Sequence, residues 1–287
     1  MNQPTIRSRV WPLFAPLCEV LIFLVSFLVL SLVCVIPVAL LTHTRVVGIW
    51  FILPFTLLFV AAYQHFVHRE GLNNLGVVRD ARLVRALAIG FVVAGVAVGG
   101  IGAVHHAAGW TDLRRVTITG LPVQLAAVGV GLGVVINLGI GLGEELLFRG
   151  YVLTRLLRGY RAVPVAVVAS SVLYSLIHAF KGVGVLVLLN LFLLGVVLAL
   201  AVIVTRSLWL AIGIHAGWDF WGDGIYFYRV PAFEVSRVFT FNYHLGSHLE
   251  LVVFKIVTAL FLLVVAAGLL MLARRQGGWA APVREAA

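Results

Sequence analysis

Residues 183–204 read VGVLVLLNLFLLGVVLALAVIV, twenty-two positions without a charged side chain. A helix of that length rises about 33 Å at 1.5 Å per residue, enough to cross a hydrocarbon core of roughly 30 Å. Runs of the same kind recur outward in both directions, near 17–41, 46–66, 84–108, 124–157, 163–180, 207–222 and 250–273. The fold class that follows is all-α, a polytopic membrane protein of about eight transmembrane helices, with residues 1–287 forming a single transmembrane domain.

Composition leads the same way. The chain is 62% hydrophobic and 11% charged, with a mean hydropathy of +1.10, so no polar surface for a water-soluble packing can be assembled from it. Its partner is the lipid bilayer. The net charge of +10 does not signal nucleic acid, because the basic residues are scattered through short breaks and do not form a stripe interleaved with aromatics. If both termini are cytoplasmic, fourteen of the 21 basic residues fall on the inner side and seven on the outer, the bias expected of inward-facing loops. The expected location is a cell membrane, and basicity carried mainly by arginine suggests a GC-rich bacterium.

Smaller features fit this frame. Arg7 and Arg9 precede an apolar run of about 25 residues with no A-x-A exit, which reads as a retained first helix and not as a cleaved signal. Cys18 and Cys34 lie sixteen residues apart, about 24 Å along a helix, too far to pair. Glycines four apart in Gly95/Gly99, Gly129/Gly133 and Gly139/Gly143 predict close helix contacts. The long polar break from Asp223 to Glu250 is rich in aromatics and suits the outer membrane interface.

Ionisable residues inside such spans are costly, about 2.5 to 3.5 kcal/mol each at a helix centre, and therefore mark candidate sites. Three sets stand out: Glu144, Glu145 and Arg149 in GLGEELLFRGY (141–151), His178 with Tyr174 in YSLIH (174–178), and His215 with Asp219 in HAGWD (215–219). Helical spacing stacks Glu145 on Arg149 and turns Glu144 elsewhere. A buried ion pair accounts for the first two and leaves Glu144 unexplained. Asn137, seven residues before Glu144, shares nearly the same face and either lines a wet cavity or bonds to a neighbouring helix. Counted from the break near 159–161, Glu144 and His178 lie at matching depths of about 22 to 26 Å on antiparallel helices. His215 and Asp219 reach the same region from Arg206, so three helices can converge on one polar site.

A buried glutamate beside a neutral histidine can hold a water, take its proton and deliver hydroxide to a carbonyl, and a second histidine can stabilise the oxyanion. Amide hydrolysis uses every part. His178, His215, Glu144 and Asp219 also make a donor set for Zn²⁺, so a metal-dependent peptidase is the lesser enzymatic alternative. The chain has no H-E-x-x-H, no G-x-S-x-G and no glycine-flanked aspartate dyad, which disfavours the other intramembrane protease classes.

EELLFR (144–149), YSLIH (174–178) and HAGWD (215–219) resemble, in order, the motifs E-E-x-x-x-R, F-x-x-x-H and H-x-x-x-(N/D) of the CAAX prenyl endopeptidase and bacteriocin-processing family, also called Abi proteins. The resemblance covers a core of about residues 124–222. It implies eight helices and a metal-independent intramembrane glutamate protease, with no cofactor, that cleaves a membrane-associated peptide or protein. It further implies Glu144 and His178 as the water-activating pair and His215 with Asp219 as oxyanion stabilisers, ordered by Glu145 and Arg149. Tyr174 stands where the family has Phe, and Asp219 where its eukaryotic members tend to have Asn. A carboxylate donates no hydrogen bond unless protonated, so Asp219 is expected to orient His215. The rival expectation is non-enzymatic: an immunity protein, scaffold or transporter using the same polar cluster.

Overall fold

The computed structural model describes residues 6–34, 37, 40, 45–115, 123–160, 162–222, 239–243 and 247–275. In chain order the elements are α1 (Ile6–Cys34), α2 (Arg45–His68), a 3₁₀ turn (Leu72–Leu75), α3 (Leu83–Ala107) and β1 (Thr111–Arg115). They continue with α4 (Val123–Glu145), a π-helical stretch (Leu146–Leu153), α5 (Thr154–Tyr160), α6 (Val163–Ile177) and a 3₁₀ turn (His178–Lys181). Then follow α7 (Val185–Thr205), α8 (Trp209–Asp219), β2 (Phe239–Tyr243) and α9 (Ser247–Arg275).

Seven of the described helices are long and apolar enough to cross a membrane, α4, the π stretch and α5 counting as one 33-residue span. The outward faces carry large apolar side chains, with Phe180 84%, Phe66 78% and Val264 71% exposed, as lipid contact requires. The protein is a multi-pass membrane protein.

The expected span at 207–222 differs from the others. Its regular helix, α8, has 11 residues and rises only about 16 Å. Its neighbours show where it runs. A Cβ at Gly217 would stand 2.8 Å from Phe91, one at Gly95 would stand 2.7 Å from the Trp221 indole, and Gly213 abuts Leu87. These contacts advance together along both helices, so α8 lies parallel to α3. Beyond it, β2 pairs antiparallel with β1, from Thr111 opposite Tyr243 to Arg115 opposite Phe239. The chain therefore passes from the face where α3 begins to the face where α3 ends. The ribbon is the only strand pairing among the described residues. Of the aromatic-rich break, residues 223–238 and 244–246 lie outside the described residues.

Glycine sets the closest helix approaches, at Gly95, Gly139 and Gly143 of the pairs the spacing suggested and also at Gly90 and Gly141. At Gly90 an added Cβ would come within 2.5 Å of the Leu210 carbonyl and 2.6 Å of the Ile214 nitrogen. At Gly141 it would stand 3.2 Å from the Ile212 carbonyl. Helix α8 is thus held backbone to backbone between α3 and α4. Gly99, by contrast, has nothing within 4 Å.

On the other side of α4, an aromatic cluster fastens α1 and α2. Phe23 stacks on Tyr151 of the π stretch with ring centroids 3.6 Å apart, and Phe59 and Tyr63 pack against Phe23 at 5.3 and 5.0 Å. The Tyr151 hydroxyl is satisfied by His68 Nε2 at 2.9 Å and reaches Glu19 at 3.4 Å. Buried tyrosines need such partners.

Candidate active site

Helix α4 keeps α geometry through Glu145, and the next eight residues then wind as a π helix, a local form frequent at functional sites. The Thr154 hydroxyl donates at 3.5 Å to the Arg149 carbonyl five residues back, closing this stretch where α5 resumes. The two glutamates at the junction point in different directions, as expected.

Glu145 is fully buried. Its Oε1 accepts from Arg149 Nη1 at 2.9 Å and from His215 Nδ1 at 2.8 Å. Arg149 is itself buried, donates to the Gly195 carbonyl of α7 at 3.3 Å, and stacks over the Tyr174 ring at 4.2 Å. A planar guanidinium can fork toward a carboxylate and a carbonyl while facing a ring, which an ammonium cannot. One side chain thereby joins α4, α6, α7 and, through Glu145, α8.

His178 sits where α6 ends, at the start of a 3₁₀ turn that Gly182 closes in the left-handed region (φ 71°). Its Nδ1 donates to the Tyr174 carbonyl at 2.8 Å, an acceptor that fixes the tautomer and leaves Nε2 as an acceptor. That Nε2 stands 3.9 Å from Glu144 Oε2. His215, on α8, places its own Nε2 at 3.7 Å from the same oxygen and 3.5 Å from Asp219 Oδ2. Glu144 Oε2 is buried and has no hydrogen-bond partner among the described residues. The Tyr174 ring packs against both imidazoles, with centroids 4.8 Å from His178 and 6.1 Å from His215.

Seven of the eight residues singled out from sequence therefore meet: Glu144, Glu145, Arg149, Tyr174, His178, His215 and Asp219. Asn137 stands apart. Its amide donates to Gly133 of its own helix at 2.9 Å, and it is not among the residues that line the cavity described below. Asp219 Oδ2 stands beside His215 Nε2, the nitrogen turned toward Glu144, and Glu145 holds the same ring at Nδ1. Spacing could not show that link, since Glu145 and His215 are seventy residues apart. Among the described residues no three His, Cys, Asp or Glu side chains are arranged to hold a metal ion.

Glu144 and His178 line a cavity of about 570 Å³, within the usual range for a small-molecule or peptide site. Its walls come from Phe27 of α1, from Ile52, Leu53 and Thr56 of α2, and from α4 along Ile136, Gly139, Ile140 and Gly143. Leu147, Phe148, Ile177 and Lys181 complete it. Gly139 and Gly143 face Leu53, where an added Cβ would stand 3.0 and 3.4 Å away. The polar side chains on its otherwise apolar wall are Thr56, Glu144, His178 and Lys181.

Residues 126–221 match the family described as Type II CAAX prenyl endopeptidase Rce1-like. The matched stretch contains all three polar sets. No curated protein matches the chain.

Proposed function

From this kinship to a prenyl endopeptidase family and from the geometry of the site, we propose that the protein is an intramembrane endopeptidase of the CAAX-protease type. It hydrolyses a peptide bond of a membrane-associated peptide or protein through a water activated by Glu144 and His178. One observation carries the mechanism. Glu144 Oε2 stands 3.9 and 3.7 Å from the Nε2 atoms of His178 and His215, beyond direct hydrogen bonding and at a separation that one water spans.

Glu144 takes a proton from that water as its oxygen adds to the carbonyl carbon of the peptide. His178 Nε2 accepts a hydrogen bond from the water's second O–H, which stays on the oxygen, and so aims the lone pair. The carbonyl electron pair moves to oxygen, which His215 stabilises as an imidazolium, its Nδ1–H held by Glu145 and its Nε2–H, beside Asp219, donating to the oxyanion. Asp219 balances that cation. When the carbonyl re-forms and the C–N bond breaks, the proton held by Glu144 passes to the leaving nitrogen. Arg149 and Tyr174 keep the carboxylate and both rings in place. The basic-residue bias orients the domain with both termini in the cytoplasm of a bacterial cell.

Glu144→Gln and His178→Ala each abolish cleavage by the purified protein while membrane abundance is retained. Unchanged cleavage in both would overturn the assignment. The water needs no metal, so activity persists in chelator; loss restored by Zn²⁺ would transfer the mechanism to a metal centre. The substrate is found by comparing membrane peptides of wild-type and Glu144→Gln strains for an uncleaved precursor.

A further inference from the structure

Three arginines far apart in sequence are gathered by the fold at the pole from which α3 and α8 both start. There the loop between α2 and α3 lies against the turn between α7 and α8. Leu208 N donates to the Gly76 carbonyl at 3.0 Å, and the Trp209 indole donates to the Val78 carbonyl, 131 positions away in sequence. Arg79 follows Val78, Arg82 caps the start of α3, and Arg206 caps the end of α7. All three are exposed. Among the described residues none of them has an ion-pair partner, whereas Arg149, Arg155 and Arg158 are each paired with a carboxylate. Asp80, the acid between Arg79 and Arg82, accepts from the Arg82 backbone nitrogen at 2.9 Å, so three positive charges stand against one negative. The bordering surface is apolar, with Val84 of α3 73% and Val78 38% exposed.

The orienting bias of basic residues asks only that they lie in loops on one side of the membrane. It does not ask that arginines from two separate loops meet, unpaired, at an apolar edge. Guanidinium groups suit phosphate oxygens in geometry and charge, and the apolar border suits a ligand whose charged head carries hydrocarbon chains. We infer that Arg79, Arg82 and Arg206 form a headgroup site for an anionic phospholipid of the leaflet at that pole. The site is independent of the endopeptidase reading. A headgroup held by both loops fastens the seam at the turn where α8, the helix of His215, begins, so bound lipid also stabilises the fold.

The test uses the full chain in a non-ionic detergent, titrated with phosphatidylglycerol and with phosphatidylcholine of the same acyl chains. Bound lipid is counted by native mass spectrometry, and thermal unfolding is followed in parallel. One basic residue at an anionic headgroup is worth about a fivefold change in affinity. The first phosphatidylglycerol is therefore expected to bind about a hundredfold tighter than phosphatidylcholine, with a preference that weakens as salt rises. Arg79→Gln, Arg82→Gln and Arg206→Gln each remove about fivefold, and together they bring the two lipids close to equal. The three Lys variants combined keep most of the preference. Arg69→Gln, an exposed arginine on the side where Glu70 pairs with Arg158, leaves it unchanged. Phosphatidylglycerol raises the unfolding temperature of the wild type and not of the triple Gln variant. Equal binding of the two lipids by the wild type would overturn the site, as would a preference that the triple Gln variant retains. An equal loss from Arg69→Gln would replace the site with a diffuse field of charge, and lipid bound without a thermal shift would place the headgroup off the seam. Free glycerol phosphate binding as tightly as the lipid would overturn the lipid assignment in favour of a soluble phosphate.

Discussion

Glu144 and Glu145 are chemically identical neighbours with opposite environments. Glu145 is enclosed and doubly hydrogen-bonded to Arg149 and His215, while Glu144 enters the cavity and leaves one oxygen between two imidazole nitrogens. Their roles therefore separate by experiment. Glu145→Gln weakens the hold on His215 without touching the cavity wall. It is expected to lower kcat by about 10²- to 10³-fold, the cost of losing one oxyanion donor, with KM little changed in a peptide cleavage assay. Arg149→Leu strands a buried carboxylate, a change that costs about 3–5 kcal/mol, and is expected to reduce the yield of folded protein. Arg149→Lys keeps the charge but loses the fork and the stacking on Tyr174, so it should recover folding better than activity.

At the scale of elements, the site is held by backbone contacts on one side and by a polar strap on the other. Helix α8 carries His215 and is wedged against α3 at Gly213 and Gly217. Gly213→Ala must push the two helices apart and is expected to lower both thermal stability and kcat, whereas Gly99→Ala, with open space around it, leaves both near wild type. Melting curves and cleavage rates on the two variants check this. The strap lies at the far end of the π stretch. Glu70 accepts from Arg158 Nη1 at 2.8 Å through both oxygens and from Gln64 at 2.8 Å, tying the loop after α2 to α5. Partial burial would raise its carboxyl, but the Arg158 hydrogen bond and charge, with help from Arg155 and Asn74, hold it below its ordinary value of 4.5. A depressed carboxylate stabilises the fold above that ordinary value, and the contribution is lost as pH falls through the lowered one. Glu70→Gln should therefore melt below wild type at neutral pH, and the gap should close only under pH 4.5. A gap constant from pH 7 to 3 would show that the strap does not depend on the charge.

For the whole molecule, the ribbon joins the end of α3 to the start of α9 and completes the passage that the short α8 begins. Opposed residues of antiparallel strands lie about 4.5–5.5 Å apart between Cα atoms, within disulfide range. Asp112→Cys with Asn242→Cys, in a chain whose Cys18 and Cys34 are replaced, should form an internal disulfide under mild oxidant and run faster on a non-reducing gel. No shift would mean the strands do not pair in the membrane.

Sequence alone sufficed to read a helical membrane protein, and it picked out the residues that meet in the candidate site. Lipid leaves no other solution to long apolar runs, and an ionisable group in such a run is too costly to be incidental. Local periodicity sufficed for Glu145 beside Arg149, because positions four apart meet within one helix. It did not reveal that Glu145 holds His215, that Tyr174 stacks on Arg149, or that the Asn137 amide bonds back to Gly133 of its own helix. Those contacts depend on how α4, α6 and α8 rotate about their axes. The half-length α8 and its glycine seams with α3 and α4, the π stretch after Glu145, and the 3₁₀ turn that begins at His178 came only with the tertiary structure. Hydropathy measures how apolar a segment is, and it carries no information about the angle at which one helix meets the next.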